Sequence, residues 1–98
     1  MGYNNAMEFE WDPEKSRTNK IKHGLDFETA QSLWLDDNLI VIKAPYPVEE
    51  RWILISWLNR KLWTAIYTMR MDRIRLISVR RARKGEAELY EKESKFDQ

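Results

Sequence analysis

Four closely spaced extended segments in the second half of the chain constrain its fold most. They are rich in β-branched and aromatic residues and run in the order NLIVIK, RWILISW, KLWTAIYT and RIRLISV. A proline-bounded loop, APYPVEE, separates the first two segments, and short turns join the others. Connections this short leave no room for a crossover helix, so they predict an antiparallel meander.

Two helical segments precede the meander, and one follows it. In WDPEKSRTNKIKHG, Asp12 is placed as an N-cap, Pro13 fits the first helical position and Gly24 fits a left-handed C-cap. The next helix begins after Asp26 and has four apolar residues at helical spacing that should face the core: Phe27, Ala30, Leu33 and Trp34. A short alternating strand, MEFEW, precedes these helices, and ARKGEAELYEKESK forms a helix at the other end. The predicted order is β-α-α-β-β-β-β-α, an α+β fold in which helices cover one face of a mostly antiparallel sheet.

Length and composition exclude several classes of protein. A chain of 98 residues predicts a single domain, 1–98, in which we expect 7–94 to fold and 1–6 to be a disordered N-terminus. The absence of cysteine excludes disulfides and thiolate chemistry, and a single histidine cannot anchor a zinc site. There is also no glycine-rich loop to hold a nucleotide cofactor, so together these absences lead us to expect neither a metal nor a cofactor. No apolar run is long enough to span a membrane, and we expect a cytoplasmic protein.

Positive charge is concentrated in one part of the chain. From Arg51 to Lys84 ten cations stand against a single acid, Asp72, which leaves a local excess of nine positive charges. Such a distribution favours a polyanionic partner, most commonly nucleic acid. The alternative is that these cations lie on a solvated surface of strands and helices that binds no such partner.

Three clusters contain the candidate functional residues. Lys22 and His23 end the first helix, where they could form part of a functional site or could simply cap free carbonyl groups. Arg51 stands at the entrance of a strand, where it could clamp phosphate beside Glu50 as a possible base, or form a surface ion pair. Arg80 ends the last strand, where it could line a cleft, unless a bulge turns it to solvent.

An unbroken period of two predicts which residues share a face of that last strand. One face would hold Arg73, Arg75, Ile77 and Val79, and the other Ile74, Leu76, Ser78 and Arg80.

The segments EFEWDPEKSRTNKIKHGLDFETA, ERWILI and RLISVRRA, with the following Glu86 and Tyr90, resemble the BrnT family of toxins from bacterial type II toxin–antitoxin modules. The resemblance runs from about Met7 to Tyr90. This chain departs from the usual family pattern in two hairpins, at Ser56-Trp57 and at Met69-Arg70-Met71. Exposed Trp57 or Met71 could therefore belong to a partner interface.

The resemblance implies a RelE-like fold and an endoribonuclease that arrests growth by cleaving messenger RNA without a metal. It also implies a hetero-oligomer with an antitoxin of the BrnA type, which would neutralise the toxin and through which alone the complex would bind operator DNA. Arg51 and Arg80 would hold phosphate, and Lys22 and His23 would transfer protons or stabilise charge. The remaining cations assigned to RNA binding are Arg73, Arg75, Arg81, Arg83 and Lys84.

Two other functions remain open. The chain could be a nucleic-acid-binding module without activity, or a decayed toxin that acts only with its antitoxin in repressing its own operon. A carboxylate–Mg²⁺ site on Glu49 and Glu50 is the alternative to cleavage without metal.

Overall fold

The computed structural model describes residues 7–45 and 47–96, so the expectation for residues 1–6 lies outside the described part. The fold is α+β, as predicted. The elements follow in the order β1 (Glu8–Glu10), α1 (Pro13–His23), α2 (Phe27–Ala30), a 3₁₀ helix (Gln31–Leu35), β2 (Ile40–Ala44), β3 (Arg51–Leu58), β4 (Lys61–Arg70), β5 (Arg73–Arg81) and α3 (Lys84–Phe96). No helix in these ranges is long and apolar enough to span a membrane.

The five strands form one mixed sheet in the order β1-β5-β4-β3-β2. Strands β2 to β5 are an antiparallel meander, as their short connections predict. Strand β1 adds to the outer edge of β5 in parallel orientation, with Glu8 opposite Arg73 and Glu10 opposite Arg75. The first strand of the chain therefore lies beside the last one, which brings two acidic side chains next to an arginine-rich strand.

Helix α1 begins and ends as its sequence predicts. The Asp12 side chain accepts a hydrogen bond from the Glu14 backbone N–H at 2.9 Å, and Gly24 ends the helix with a φ of 88°. The helix has no apolar face, since its buried residues are Ser16 and Asn19 and its Ile21 is 74% exposed. Polar contacts must therefore hold α1 in place.

Asn19 supplies the most important of these contacts, at the part of the β5 edge that β1 does not reach. Its side-chain amide donates to the Val79 carbonyl at 2.8 Å, and its side-chain oxygen accepts from the Val79 N–H at 3.1 Å. The Asn19 side chain thus replaces a neighbouring strand and satisfies two buried backbone groups. Ser16 adds a second contact by accepting from the Phe27 N–H at 2.9 Å. These bonds fix α1 along the sheet edge while its cationic side chains stay exposed.

The core lies between α2, the 3₁₀ helix and one face of the sheet. Phe27, Ala30 and Leu33 are fully buried, and Trp34 packs against them at the rim of the core. Trp34 makes edge-to-face contacts with Phe9 at 5.0 Å and with Tyr67 at 5.2 Å, which ties β1 and β4 to the helical layer. All four side chains therefore face the core, as predicted.

A β-bulge in β5 changes which residues share a face. Tyr67 pairs with Leu76 and Ile66 pairs with Ser78, so Ile77 is an extra residue without a cross-strand partner. Val79 consequently joins Ile74 and Leu76 in the core. The predicted alternation was wrong beyond Leu76, because it assumed an unbroken period of two.

Helix α3 lies on the sheet face opposite the core. Its Glu86 bonds to Thr64 and Arg80, whose strand neighbours Ala65 and Val79 point into the core. The prediction that helices cover one face only was therefore wrong. Further along α3, the Tyr90 hydroxyl donates to the Asp36 carboxylate at 2.6 Å, which fixes the helix across one end of this second face.

Candidate functional site

Two adjoining cavities open on the sheet face opposite the core, and together we call them the basic groove. The first, of about 270 Å³, lies between α1 and β5 and is lined by Glu14, Lys15, Thr18, Asn19, Lys22, His23, Ile77 and Ser78. The second, of about 390 Å³, lies where β3 begins and β4 ends and is lined by Lys15, Glu49, Glu50, Arg51, Thr68, Met69, Arg70, Arg75 and Ile77. Because Lys15 and Ile77 line both cavities, the two cavities meet at these residues.

The helical period of α1 supplies one wall of the groove. Lys15, Asn19 and Lys22 are separated by four and three residues, so they share one face of the helix. Asn19 anchors that face to β5, which places a lysine about one turn to either side of the anchor. His23, the last residue of α1, is half-buried and lines the same cavity as Lys22.

The bulge in β5 supplies the floor of the groove. In a regular strand Ile77 and Ser78 would point to opposite faces. Because Leu76 and Val79 both face the core, the two residues between them are both available to the other face, and both line the first cavity. Bulges occur often beside active sites, where they redirect side chains.

Arg51 and Glu50 lie at the entrance of β3 and line the second cavity. The Arg51 Nε donates to Glu49 at 3.0 Å, while the Glu50 carboxylate pairs with Lys43 at 3.1 Å. The Thr68 hydroxyl donates to the Glu50 carbonyl at 2.6 Å and fixes the backbone there. Arg51 therefore enters the groove already paired with a carboxylate, which a phosphate could replace.

Acidic residues of β1 compensate part of the positive charge at this end of the sheet. Glu10 lies 3.3 Å from Arg75 and 3.8 Å from both Arg70 and Arg73, and Glu8 lies 3.0 Å from Arg73. The Glu8–Arg73 pair is exposed and contributes little to stability, whereas Glu10 and Arg75 are half-buried. Arg75 lines the groove, whereas Arg73 lies outside it near the β4–β5 turn.

Arg80 is held in a tight network away from the groove. Its guanidinium makes two hydrogen bonds of 2.9 Å to Glu86, which also accepts from the Thr64 hydroxyl and the Arg83 N–H at 2.8 Å each. The hydrogen bonds from Arg80 outweigh burial and lower the pKa of Glu86 to about 2. The Arg80 side chain is 18% exposed and lines neither cavity of the groove. Its contacts fix the start of α3 on the sheet.

The other cations assigned to RNA binding are scattered. Arg81 lies over the Trp63 ring at 5.7 Å, and Arg83 and Lys84 lie exposed where α3 begins. The excess of nine positive charges counted within residues 51–84 is also reduced in the folded protein. Acidic residues from outside this range pair with five of the ten cations. These five are Arg51, Arg70, Arg73, Arg75 and Arg80.

Sequence reasoning missed two cations that line the groove, Lys15 and Arg70. Lys15 could have been found from its position seven residues before Lys22, which places both on one helix face. Arg70 had no such signal, because only the folded hairpin brings it to this cavity. Across residues 7–45 and 47–96, no three histidine or carboxylate side chains are grouped as metal ligands would be.

Comparison with known proteins identifies the family. The chain matches none of the curated proteins with which it was compared. A family described as "Ribonuclease toxin, BrnT, of type II toxin-antitoxin system" matches residues 11–86. The matched segment runs from the residue before the Asp12 cap through Glu86 and contains every residue that lines the basic groove. The chain therefore belongs to the BrnT family of ribonuclease toxins of type II toxin–antitoxin systems.

Proposed function

We propose that this chain is a cytoplasmic endoribonuclease that cleaves messenger RNA through the RNA's own 2′-hydroxyl group, without a metal, and that its cognate antitoxin silences it. Membership of a ribonuclease toxin family supports the class of activity. The observation that carries the proposed mechanism is the basic groove. Lys22 and His23 of α1 and Arg51 of β3 come from distant parts of the sequence and line the two adjoining cavities of this groove.

Cleavage of this kind requires three functions. A base removes the proton from the 2′-hydroxyl, cations stabilise the charge that develops on the phosphorus centre, and an acid protonates the departing 5′-oxygen. The attack forms a bond between the 2′-oxygen and phosphorus and breaks the bond to the 5′-oxygen. The products are a 2′,3′-cyclic phosphate and a 5′-hydroxyl.

The groove offers a side chain for each function. In this proposal His23 transfers protons, because histidine is the side chain that most often serves as a general acid or base. Lys22 and Arg51 neutralise the phosphate, and Arg75 binds the RNA chain beside them. Glu50 is the candidate second proton-transfer group, since it lines the cavity that contains Arg51.

Arg80 takes a different role in this proposal. Because its guanidinium is bound to Glu86, we assign Arg80 to positioning α3 rather than to contact with the reacting phosphate. Loss of Arg80 would then reduce toxicity by destabilising the fold.

The family implies an antitoxin partner. We propose that the antitoxin covers the basic groove with an acidic or helical segment, competes with RNA and alone contacts operator DNA. Exposed Trp57 lies near the end of β3, opposite Leu62 at the start of β4, and exposed Met69 lies near the end of β4, about 23 Å from Leu62 at about 3.3 Å per residue.

The proposal is tested by incubating purified chain with RNA in EDTA and identifying the ends of the products. We expect cleavage to persist and to leave 2′,3′-cyclic or 3′-phosphate ends. Chelator-sensitive cleavage with 5′-phosphate ends would instead favour a carboxylate–Mg²⁺ site. RNA that is bound but never shortened would favour the binding module without activity.

A further inference from the structure

Lys15, which the sequence did not single out, occupies the centre of the basic groove. Among the described residues it is the one charged side chain that lines both cavities. Any RNA chain that passes from one cavity to the other must therefore pass Lys15.

Lys15 also differs from the arginines of the groove in its ion pairing. The arginines of the second cavity are paired with carboxylates, Arg51 with Glu49 and Arg75 with Glu10. Neither Lys15 nor Lys22 forms an ion pair with any residue in 7–45 or 47–96, since the adjacent Glu14 pairs with Arg17. An incoming phosphate would have to displace a carboxylate from the arginines, whereas it could bind the lysines directly.

The backbone that carries Lys15 is fixed. Ser16, the next residue, accepts from the Phe27 N–H, and Asn19, one turn later, makes two hydrogen bonds to Val79. Both side chains are buried. The anchored helix fixes the point from which the Lys15 side chain extends, so its ammonium group stays within reach of both cavities.

The distance to His23 suits a shared phosphate. Eight residues of α-helix separate Lys15 from His23, about 12 Å along the axis. Both side chains line the first cavity, and the flexible four-carbon side chain of Lys15 can extend along the helix toward His23. A phosphate between them is within reach of the lysine ammonium group and of the imidazole.

We propose that Lys15 is a catalytic residue that binds the phosphate being cleaved, with one adjoining nucleotide in each cavity of the basic groove. The inference rests on the proposed function and adds to it the position of the scissile phosphate. Lys15 stabilises the negative charge that develops as the 2′-oxygen attacks, while His23 exchanges the proton. Lys22, which lines the same cavity, helps to neutralise that phosphate.

The test compares single-turnover cleavage by wild type, Lys15→Gln and Lys20→Gln. Lys20 is a matched control, because it is an exposed lysine of the same helix that lines neither cavity of the groove. We expect Lys15→Gln to lower the cleavage rate at saturating enzyme by about 10²–10³-fold, the usual cost of losing one group that stabilises a developing oxyanion. We expect Lys20→Gln to cleave like wild type, and Lys15→Arg to recover part of the lost rate.

Two results would overturn the inference. If Lys15→Gln and Lys20→Gln weaken RNA binding equally and leave the saturated rate unchanged, Lys15 merely attracts RNA. If Lys15→Gln cleaves normally while His23→Gln does not, the scissile phosphate lies elsewhere and the proposed function still stands. Absence of cleavage by wild type would refute the proposed function itself. Because Lys15 is exposed, circular dichroism should show each variant folded.

Discussion

Replacement of Glu86 by glutamine should make the stability of the protein less dependent on pH. Glu86 joins β4, β5 and α3, since it accepts hydrogen bonds from Thr64, from Arg80 and from the Arg83 backbone. The pKa of this carboxyl falls from 4.5 to about 2 in the folded protein. Because the folded pKa lies below the unfolded one, the ionised carboxylate stabilises the fold at neutral pH.

The magnitude follows from that difference. A shift of about 2.5 pKa units corresponds to about 3 kcal/mol of unfolding free energy at about 1.4 kcal/mol per unit. The contribution is complete above pH 4.5, the unfolded value, and is lost as the pH falls toward 2. Glutamine cannot ionise, so Glu86→Gln should lose this contribution at neutral pH and should lose nothing further on acidification.

Urea denaturation at several pH values between about 2 and 7 measures the effect. The control is Glu91→Gln, which removes a charge from an exposed position of the same helix. We expect Glu86→Gln to be about 3 kcal/mol less stable than wild type near neutral pH and to approach it near pH 2. A difference that is the same at both ends of this range, or one no larger than that of Glu91→Gln, would refute the assigned role of Glu86.

Three further predictions concern the sheet edge, a turn and the partner. Asn19→Ala should destabilise the fold by about 2–3 kcal/mol, because it leaves the buried N–H and carbonyl groups of Val79 unpaired. Hydrogen exchange at the Val79 amide should accelerate, and an unchanged exchange rate there would contradict this prediction. Asn59 and Arg60 form a turn with φ angles of 54° and 64°, a left-handed conformation that favours glycine over arginine. Arg60→Gly should therefore stabilise the fold by about 1 kcal/mol in urea denaturation, and an unchanged or lower stability would count against a strained turn. Bound antitoxin should protect the basic groove from hydrogen exchange, and RNA should displace the antitoxin. Protection confined to residues far from Arg51 would show that the antitoxin inhibits from a distance.

Local signals in the sequence predicted most of the fold. The Asp12 and Gly24 caps, the apolar spacing from Phe27 to Trp34 and the short turns of the meander each depend on neighbouring residues, and each has its expected structure. The pairing of β1 with β5 depends on contacts between residues 65 positions apart, which no local pattern encodes. The bulge at Ile77 is likewise set by the partner strand, so the predicted faces of β5 failed beyond it.

The candidate site divides in the same way. Lys22, His23 and Arg51 stand at the ends of elements, where side chains commonly reach a shared surface, and all three line the groove. Arg80 stands at an element end too, but its partner Glu86 belongs to α3, which lies on the sheet face where no helix was predicted. Lys15 was overlooked because one lysine in a cationic helix is not distinctive until Asn19 shows which face of the helix meets the sheet.

The most direct test of the central claim uses RNA in which a single 2′-hydroxyl is replaced by hydrogen at a mapped cleavage position. If the RNA's own 2′-oxygen is the nucleophile, the purified chain should leave that position intact while cleaving unmodified RNA in the same EDTA-containing buffer. The modified RNA should still bind, because in the proposed function the cations of the groove bind phosphate rather than the missing hydroxyl. Cleavage of the modified position at the rate of the unmodified one would show that water is the nucleophile, and the proposed mechanism would be wrong.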